Sequence, residues 1–209
     1  SEIGNIYTIN KYEAAGISID TIGAYIVAAA SADVSITITP DAGYNVSAFS
    51  ITRVADAGGD APTIAHDSGT DYTITIPANS YGDFTINTTS SKIVYDITYN
   101  LNGATVEDHY NATTFNVTDS VTLSDGDMEK DGYTFGGWYD NVGLTGDAIA
   151  SIPSGSTGDR EFWVKWNLNT YNITYDEGGS TVYPISGAHG NPATYDVEDD
   201  SIIIKGAPT

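Results

Sequence analysis

The 209-residue chain is predicted to be mainly β, and three observations predict it. Short runs such as Val34-Ser35-Ile36-Thr37-Ile38 and Tyr72-Thr73-Ile74-Thr75-Ile76 alternate with a period of two, the pattern of a strand with one buried face. The apolar set is dominated by Val, Ile and Tyr, with 15 Tyr against 1 Met, and these side chains suit a pleated, half-buried surface. The 22 Gly and 7 Pro fall between the runs and punctuate them with turns.

In order along the chain, Ile6-Tyr7-Thr8-Ile9, the two runs above, residues 46–54 and Phe84-Thr85-Ile86 each read as strands. Pro40-Asp41-Ala42-Gly43, Gly58-Gly59-Asp60 and Pro77-Ala78-Asn79 separate them as turns, which is the rhythm of a small sandwich or curled sheet over residues 1–92. The Thr- and Ser-rich residues 88–92 read as the linker to the next domain.

Beyond that point the sequence repeats. Tyr95-Asp96-Ile97-Thr98-Tyr99 returns as Tyr171-Asn172-Ile173-Thr174-Tyr175, an offset of 171 − 95 = 76, and Gly103, Thr105 and Val106 return as Gly179, Thr181 and Val182. Phe115-Asn116-Val117-Thr118-Asp119 returns as Tyr195-Asp196-Val197-Glu198-Asp199 at 195 − 115 = 80, so about four residues are inserted near Gly187-Ala188-His189-Gly190. Residues 93–167 are therefore one domain and residues 168–209 a truncated second copy, which makes the chain a row of tandem small β domains. Within the copy, Tyr95, Ile97 and Tyr99 mark a strand. Asn102-Gly103 predicts a hairpin turn, with Gly178-Gly179 in the same role later, and Thr105-Val106 the return strand. Residues 124–130 have room for one turn of helix. Asp131-Gly132 and Asp140-Asn141 read as turns flanking an aromatic strand.

Composition excludes several classes. With 28 acidic against 7 basic residues the net charge is −21, so a polyanion would be repelled and no nucleic-acid partner is expected. The acids are scattered among aromatic and β-branched residues, unlike the composition of disordered chains, so a folded, soluble anion is expected. Zero Cys removes disulfides, thiol nucleophiles and thiolate metal sites. The longest apolar stretch, residues 24–30, falls well short of the roughly 20 residues a membrane helix needs, so no membrane insertion is expected. Ser1 and Thr209 read as the cut ends of an excised piece.

A set of motifs in fixed order carries a family resemblance. Gly132-Tyr133-Thr134-Phe135-Gly136-Gly137-Trp138-Tyr139 is followed by Ile152-Pro153-Ser154-Gly155-Ser156-Thr157-Gly158 and closed by Phe162-Trp163-Val164-Lys165-Trp166. This resembles the Listeria-Bacteroides repeat, or internalin-type B-repeat, over residues 94–167. The likeness continues into the truncated copy through Asn191-Pro192-Ala193-Thr194-Tyr195 and Ala207-Pro208-Thr209. Residues 1–92 resemble divergent relatives of it through Pro40-Asp41-Ala42-Gly43-Tyr44 and Tyr72-Thr73-Ile74-Thr75-Ile76-Pro77-Ala78. Two departures stand out: residues 125–130 replace a Pro-containing segment, and Trp163 replaces a smaller residue.

The resemblance implies a compact β-grasp-like unit, strung in arrays on exported bacterial proteins and carrying no catalytic residues. The expected protein is thus an extracellular stalk or spacer, secreted or attached to the cell surface, with adhesion as a further role. It is expected to be a monomer in an extended multidomain chain. In so small a unit a few large rings must supply much of the core, and Trp138 and Trp166 are the candidates, with Gly136-Gly137 leaving room for a ring against the backbone.

Chemical candidates are few. His66, His109 and His189 sit in polar settings without a partner at metal-ligand spacing and read as surface histidines. Asp125, Asp127 and Asp131 have the oxygen-rich character of a calcium loop without the EF-hand spacing, so a solvated turn is preferred over a calcium site. No other cofactor is implied. Lys92 and Lys165 are the candidates for an isopeptide crosslink, although the Lys165 stem between two Trp residues also reads as cover for apolar surface. Asn-x-Ser/Thr sequons begin at Asn45, Asn87, Asn111, Asn116 and Asn172 and arise readily in a Thr-rich chain. Tyr110 and Tyr139, near Trp138, are the candidates for a stacking platform that would bind a host or cell-surface glycan or protein, against the reading that these aromatics supply core and cross-strand pairs.

Overall fold

The computed structural model describes residues 6–7, 9–12, 14–20, 25–26, 33–54, 63–66, 71–78, 83–175 and 190–205. Every regular element among them is a strand, so the chain is mainly β. The Gly58-Gly59-Asp60 and Gly178-Gly179 turns and His189 lie outside the described residues. Two compact units are present. One holds Ser1–Tyr95 with Thr114–Asp119 and Pro153–Gly158, and the other holds Asp96–Thr113, Ser120–Ile152 and Asp159–Thr209.

The N-terminal region contributes β1 (Ile6–Tyr7), β2 (Ile9–Tyr12), β3 (Ile17–Asp20), β4 (Tyr25–Ile26), β5 (Val34–Pro40), β6 (Tyr44–Val54), β7 (Thr63–His66), β8 (Tyr72–Ile76) and β9 (Asp83–Lys92). They form a four-stranded sheet in the order β3-β5-β8-β7, a three-stranded sheet in the order β2-β9-β6, and a β1-β4 pair. The period of two puts Ile36 and Ile38 of β5, Ile74 and Ile76 of β8, and Phe84 and Ile86 of β9 on inner faces. With Ile17 and Ile19 of β3 they make a single apolar cluster drawn from both sheets, as a sandwich requires. Ile38, Ile74, Ile76, Phe84 and Ile86 are all 0% exposed. Each such side chain contributes about 1.5–3 kcal/mol of burial.

Residues 88–92 are not a linker. They continue β9, and their pairing with β6 runs as far as Lys92 opposite Tyr44. Thr and Ser there obtain their backbone partners from β6, and only Ile93 separates β9 from the next strand.

The following region contains β10 (Val94–Asn100), β11 (Thr114–Asn116), β12 (Val121–Thr122), β13 (Tyr133–Tyr139), β14 (Ser151–Ile152) and β15 (Arg160–Leu168). The sheet order is β11-β10-β15-β13, with a separate β12-β14 ribbon. β10 runs parallel to β15, and β15 antiparallel to β13. The hairpin expected after β10 is therefore absent. Asn102 and Gly103 do form a tight turn with φ of 48° and 78°, closed by the Ala104 N–H donating to the Leu101 carbonyl at 3.2 Å. Yet Val106 bridges to Glu129, because both edges of β10 are already taken by β11 and β15. The helical turn expected in residues 124–130 is replaced by a short turn closed by the Met128 N–H on the Asp125 carbonyl at 3.1 Å.

Trp138 is 1% exposed and forms the centre of this core as expected. Tyr99 stands 5.0 Å and Phe135 6.0 Å from its ring, both edge-on. Its indole N–H is satisfied by the Ser124 carbonyl at 2.9 Å. Trp166 is only partly buried and donates to the Leu101 carbonyl at 3.0 Å. Gly136 and Gly137 form a bulge between Phe135 and Trp138 and make no space for a ring. A β-carbon on Gly136 would press on the Asn167 amide at 2.8 Å, and one on Gly137, at φ 110°, on Ala148 at 2.7 Å.

The truncated copy contributes β16 (Tyr171–Asn172) and β17 (Thr194–Tyr195), paired antiparallel. Its bonds reproduce those of the first copy at the sequence offsets. Ile97 donates to the Thr113 carbonyl and Ile173 to that of Ala193, both at 2.8 Å. Tyr99 Oη donates to Ala112 at 2.8 Å and Tyr175 Oη to Pro192 at 2.7 Å.

Candidate functional site

A cleft of about 450 Å³ opens beside β13, lined by Asp125, Glu129, Lys130, Asp131, Phe135 and Trp166 among others. Lys130 stands 4.4 Å over the Tyr133 ring, a cation–π contact on the cleft wall, and its Nζ donates to the Asn102 carbonyl at 3.2 Å. The cleft therefore combines an aromatic flank with carboxylates but gathers no nucleophile–base pair.

Of the calcium candidates, Asp125 and Asp131 line the cleft and Asp127 does not. Asp127 accepts the Tyr110 hydroxyl at 3.0 Å, and the Asp125 carbonyl is used in its own turn. Among the described residues no three acidic or histidine side chains are grouped so as to hold a metal ion.

Of the two platform candidates, Tyr139 is buried at 7% exposure, and the Lys165 ammonium lies 5.5 Å over its ring. Its face is thus covered, and Tyr139 is corrected from an exposed platform to a packed side chain. Trp138 and Tyr139 pair in regular register with Val164 and Trp163 and so point to opposite faces; Trp138 faces the aromatic core, and Lys165 covers Tyr139 on the other side. Tyr110 is 72% exposed and adopts φ 52°, a left-handed backbone that a bulky residue rarely holds. Its hydroxyl pKa is raised by the hydrogen bond to Asp127 first and by the charges of Asp127 and Asp108.

His109 is not a plain surface histidine. Its ring packs 4.3 Å from Tyr99 and 5.8 Å from Trp138, and its Nδ1 accepts the Asn111 N–H at 3.1 Å. Burial lowers its pKa below the ordinary 6.5, against an opposing pull from Asp108. Tyr99 beside it is pushed up to about 12 by burial. His66 lies in β7.

Lys165 is held over Tyr139, and Lys92 Nζ donates to Thr118 Oγ1 at 2.5 Å. Two sequon asparagines have structural partners. Asn111 exchanges two bonds of 2.8 Å with the Ser124 backbone, and Asn116 bonds Asp119 and Thr118.

These features describe a β-repeat module, with its large rings packed inward and its polar side chains tying turns. Residues 95–162 match the model of the Listeria-Bacteroides repeat domain, a family found in extracellular or surface proteins. No curated protein and no solved structure matches the chain. Among the described residues no helix is long and apolar enough to cross a membrane.

Proposed function

We propose that the chain is a non-catalytic spacer region of an exported bacterial surface protein, built from tandem modules: residues 1–92 a divergent repeat, 93–167 a B-repeat and 168–209 part of a second. The observation that carries this reading is the use of side chains. The isoleucines, with Phe84, cluster within residues 17–86, and the rings around Trp138 come from Tyr99, His109 and Phe135. Modules of this kind add their stabilities nearly independently and suit a semi-rigid stalk. The charge of −21 keeps neighbouring stalks soluble and apart. Single-molecule stretching tests it: separate unfolding steps for residues 1–92 and 93–167 are expected, and one step releasing both would overturn it.

A second reading, ligand binding, is favoured by Tyr110 alone, an aromatic side chain exposed on an unusual backbone. A glycan array run with the native chain and with Tyr110→Ala decides it. Binding lost in the variant supports a recognition role, and no binding by the native chain discards it.

A further inference from the structure

The turns that open β6 and β13 are built alike. Tyr44 donates its N–H to the Asp41 carbonyl at 3.0 Å, and Tyr133 donates to the Lys130 carbonyl at 2.9 Å. Each turn places a glycine at positive φ just before the tyrosine, Gly43 at 85° and Gly132 at 78°. Each glycine carbonyl then accepts an N–H from just past the end of its module's last strand. Ile93 donates to Gly43 and Asn169 to Gly132, both at 2.8 Å, and 169 − 93 = 76 is the repeat offset.

The same two glycines meet equivalent residues of the copy that comes after. A β-carbon on Gly43 would stand 2.5 Å from Val117 Cβ, and one on Gly132 would stand 2.8 Å from Val197 Cβ. Only glycine leaves room there, independently of the backbone angle. The valines correspond, since 197 − 117 = 80 is the offset of that part of the repeat.

Each valine stands at the tip of the same cradle. Asn116 N–H donates to Asp119 Oδ2 and Asp196 N–H to Asp199 Oδ2, both at 2.9 Å. Thr118 N–H returns to Asn116 Oδ1 at 3.0 Å, and Glu198 N–H to Asp196 Oδ1 at 2.9 Å, which are paired Asx turns. The next position is also engaged in both places. Thr118 accepts from Lys92, and Glu198 accepts from Tyr133 Oη, each at 2.5 Å.

We propose that Val117 and Val197 are the keys of one repeated inter-module joint, each seated on the glycine-floored notch of the preceding module. The surface formed by this turn takes the Asx-turn valine of a following copy of the same repeat. The joint rests on the tandem-module reading and adds to it a specific contact, repeated at the two junctions described. Two neighbouring modules without such a contact move freely about their linker.

The absence of Cys in the chain makes a paired-label experiment clean. Spin labels at Ser50→Cys in β6 and at Ser154→Cys, next to the Gly155 N–H that donates to the Val117 carbonyl at 2.7 Å, lie on exposed positions of the two modules that meet at the first joint. The native joint should give one narrow distance distribution, and Val117→Asp should broaden it about twofold or more, as for a junction that has lost its interface. Val117→Ala should give a smaller broadening. Tryptophan fluorescence, which reports only on positions 138, 163 and 166, must stay native in both variants. If Val117→Asp fails this control, the alanine variant and Lys92→Met, which removes the flanking bond, carry the test. A distribution already broad in the parent, or one that these variants leave narrow, overturns the joint. A broad distribution with separate unfolding steps would sink the joint and leave the spacer reading standing. A narrow one with a specific glycan ligand would do the reverse.

Discussion

The N-terminal region and the repeat after it share a strand connection and fill it with different side chains. In the first, β2 lies parallel to β9, which pairs antiparallel with β6. In the second, β10 lies parallel to β15, which pairs antiparallel with β13. The early strand thus sits beside the last one in both, and an intermediate strand, β6 or β13, flanks the other side. Both flanking strands carry an irregularity, between Val46 and Ala48 and between Phe135 and Trp138. Their cores differ: one is a cluster of isoleucines between two sheets, and the other is a set of rings around Trp138 under one four-stranded sheet. Where a second sheet covers the first, medium-sized β-branched side chains fill the gap by interdigitation. Where cover comes from turns and a two-residue ribbon, fewer positions face inward, and each must bring a larger apolar surface.

Substituting the centre of each core breaks this comparison most sharply. Trp138→Ala should destabilise the repeat by about 3–5 kcal/mol, as large-to-small changes in a packed core do. The N-terminal region should keep its own transition in denaturant melts followed by circular dichroism and by the fluorescence of Trp163 and Trp166. A single transition moved as a whole would show that the two cores are coupled. Ile74→Ala, at a position 0% exposed, should cost about 2–5 kcal/mol in the other region and leave the tryptophan-reported transition in place.

Alkaline titration gives a smaller effect confined to the aromatic core. Tyr99 ionises near 12 in the fold against 10.0 when free, so the unfolded chain loses this proton first and stability falls as pH rises from about 10 to about 12. Tyr99→Phe should flatten that part of the profile, read as the difference in melting temperature between variant and parent.

The smallest effect is expected at His109. Its pKa is lowered in the fold, so the unfolded chain binds the proton more readily, and stability declines as pH falls below the ordinary 6.5. His109→Phe should reduce the loss between neutral and mildly acidic pH in the aromatic core and leave the isoleucine core unchanged. An unchanged profile would place the histidine in water.

Much of the N-terminal fold was legible because alternation is a local property. Ile36, Ile38, Ile74, Ile76 and Ile86 could be assigned to an inner face from their spacing alone. β3 was missed, since Ile17-Ser18-Ile19 is a single step of alternation, although both isoleucines join the core. The candidate site was less legible. Tyr139 is covered by Lys165 of the neighbouring strand, a contact that sequence spacing does not reveal, and His109 sits in a polar segment yet packs against Tyr99 and Trp138. The joint residues left a trace in the repeat offsets of Val117 and Val197, but nothing local says that Gly43 and Gly132 face them.

By itself the sequence determined the strand character, the inward face of each regular strand, the repeat and the tight turn at Asn102-Gly103, because each depends on neighbours a few residues apart. Partner choice belonged to the tertiary structure. β10 lies against β15 instead of returning through a hairpin, and residues 88–92 are strand rather than linker, because their hydrogen-bond partners come from dozens of residues away. Backbone N–H and C=O groups carry no side-chain signature, so which strand satisfies them is decided only when the whole sheet assembles.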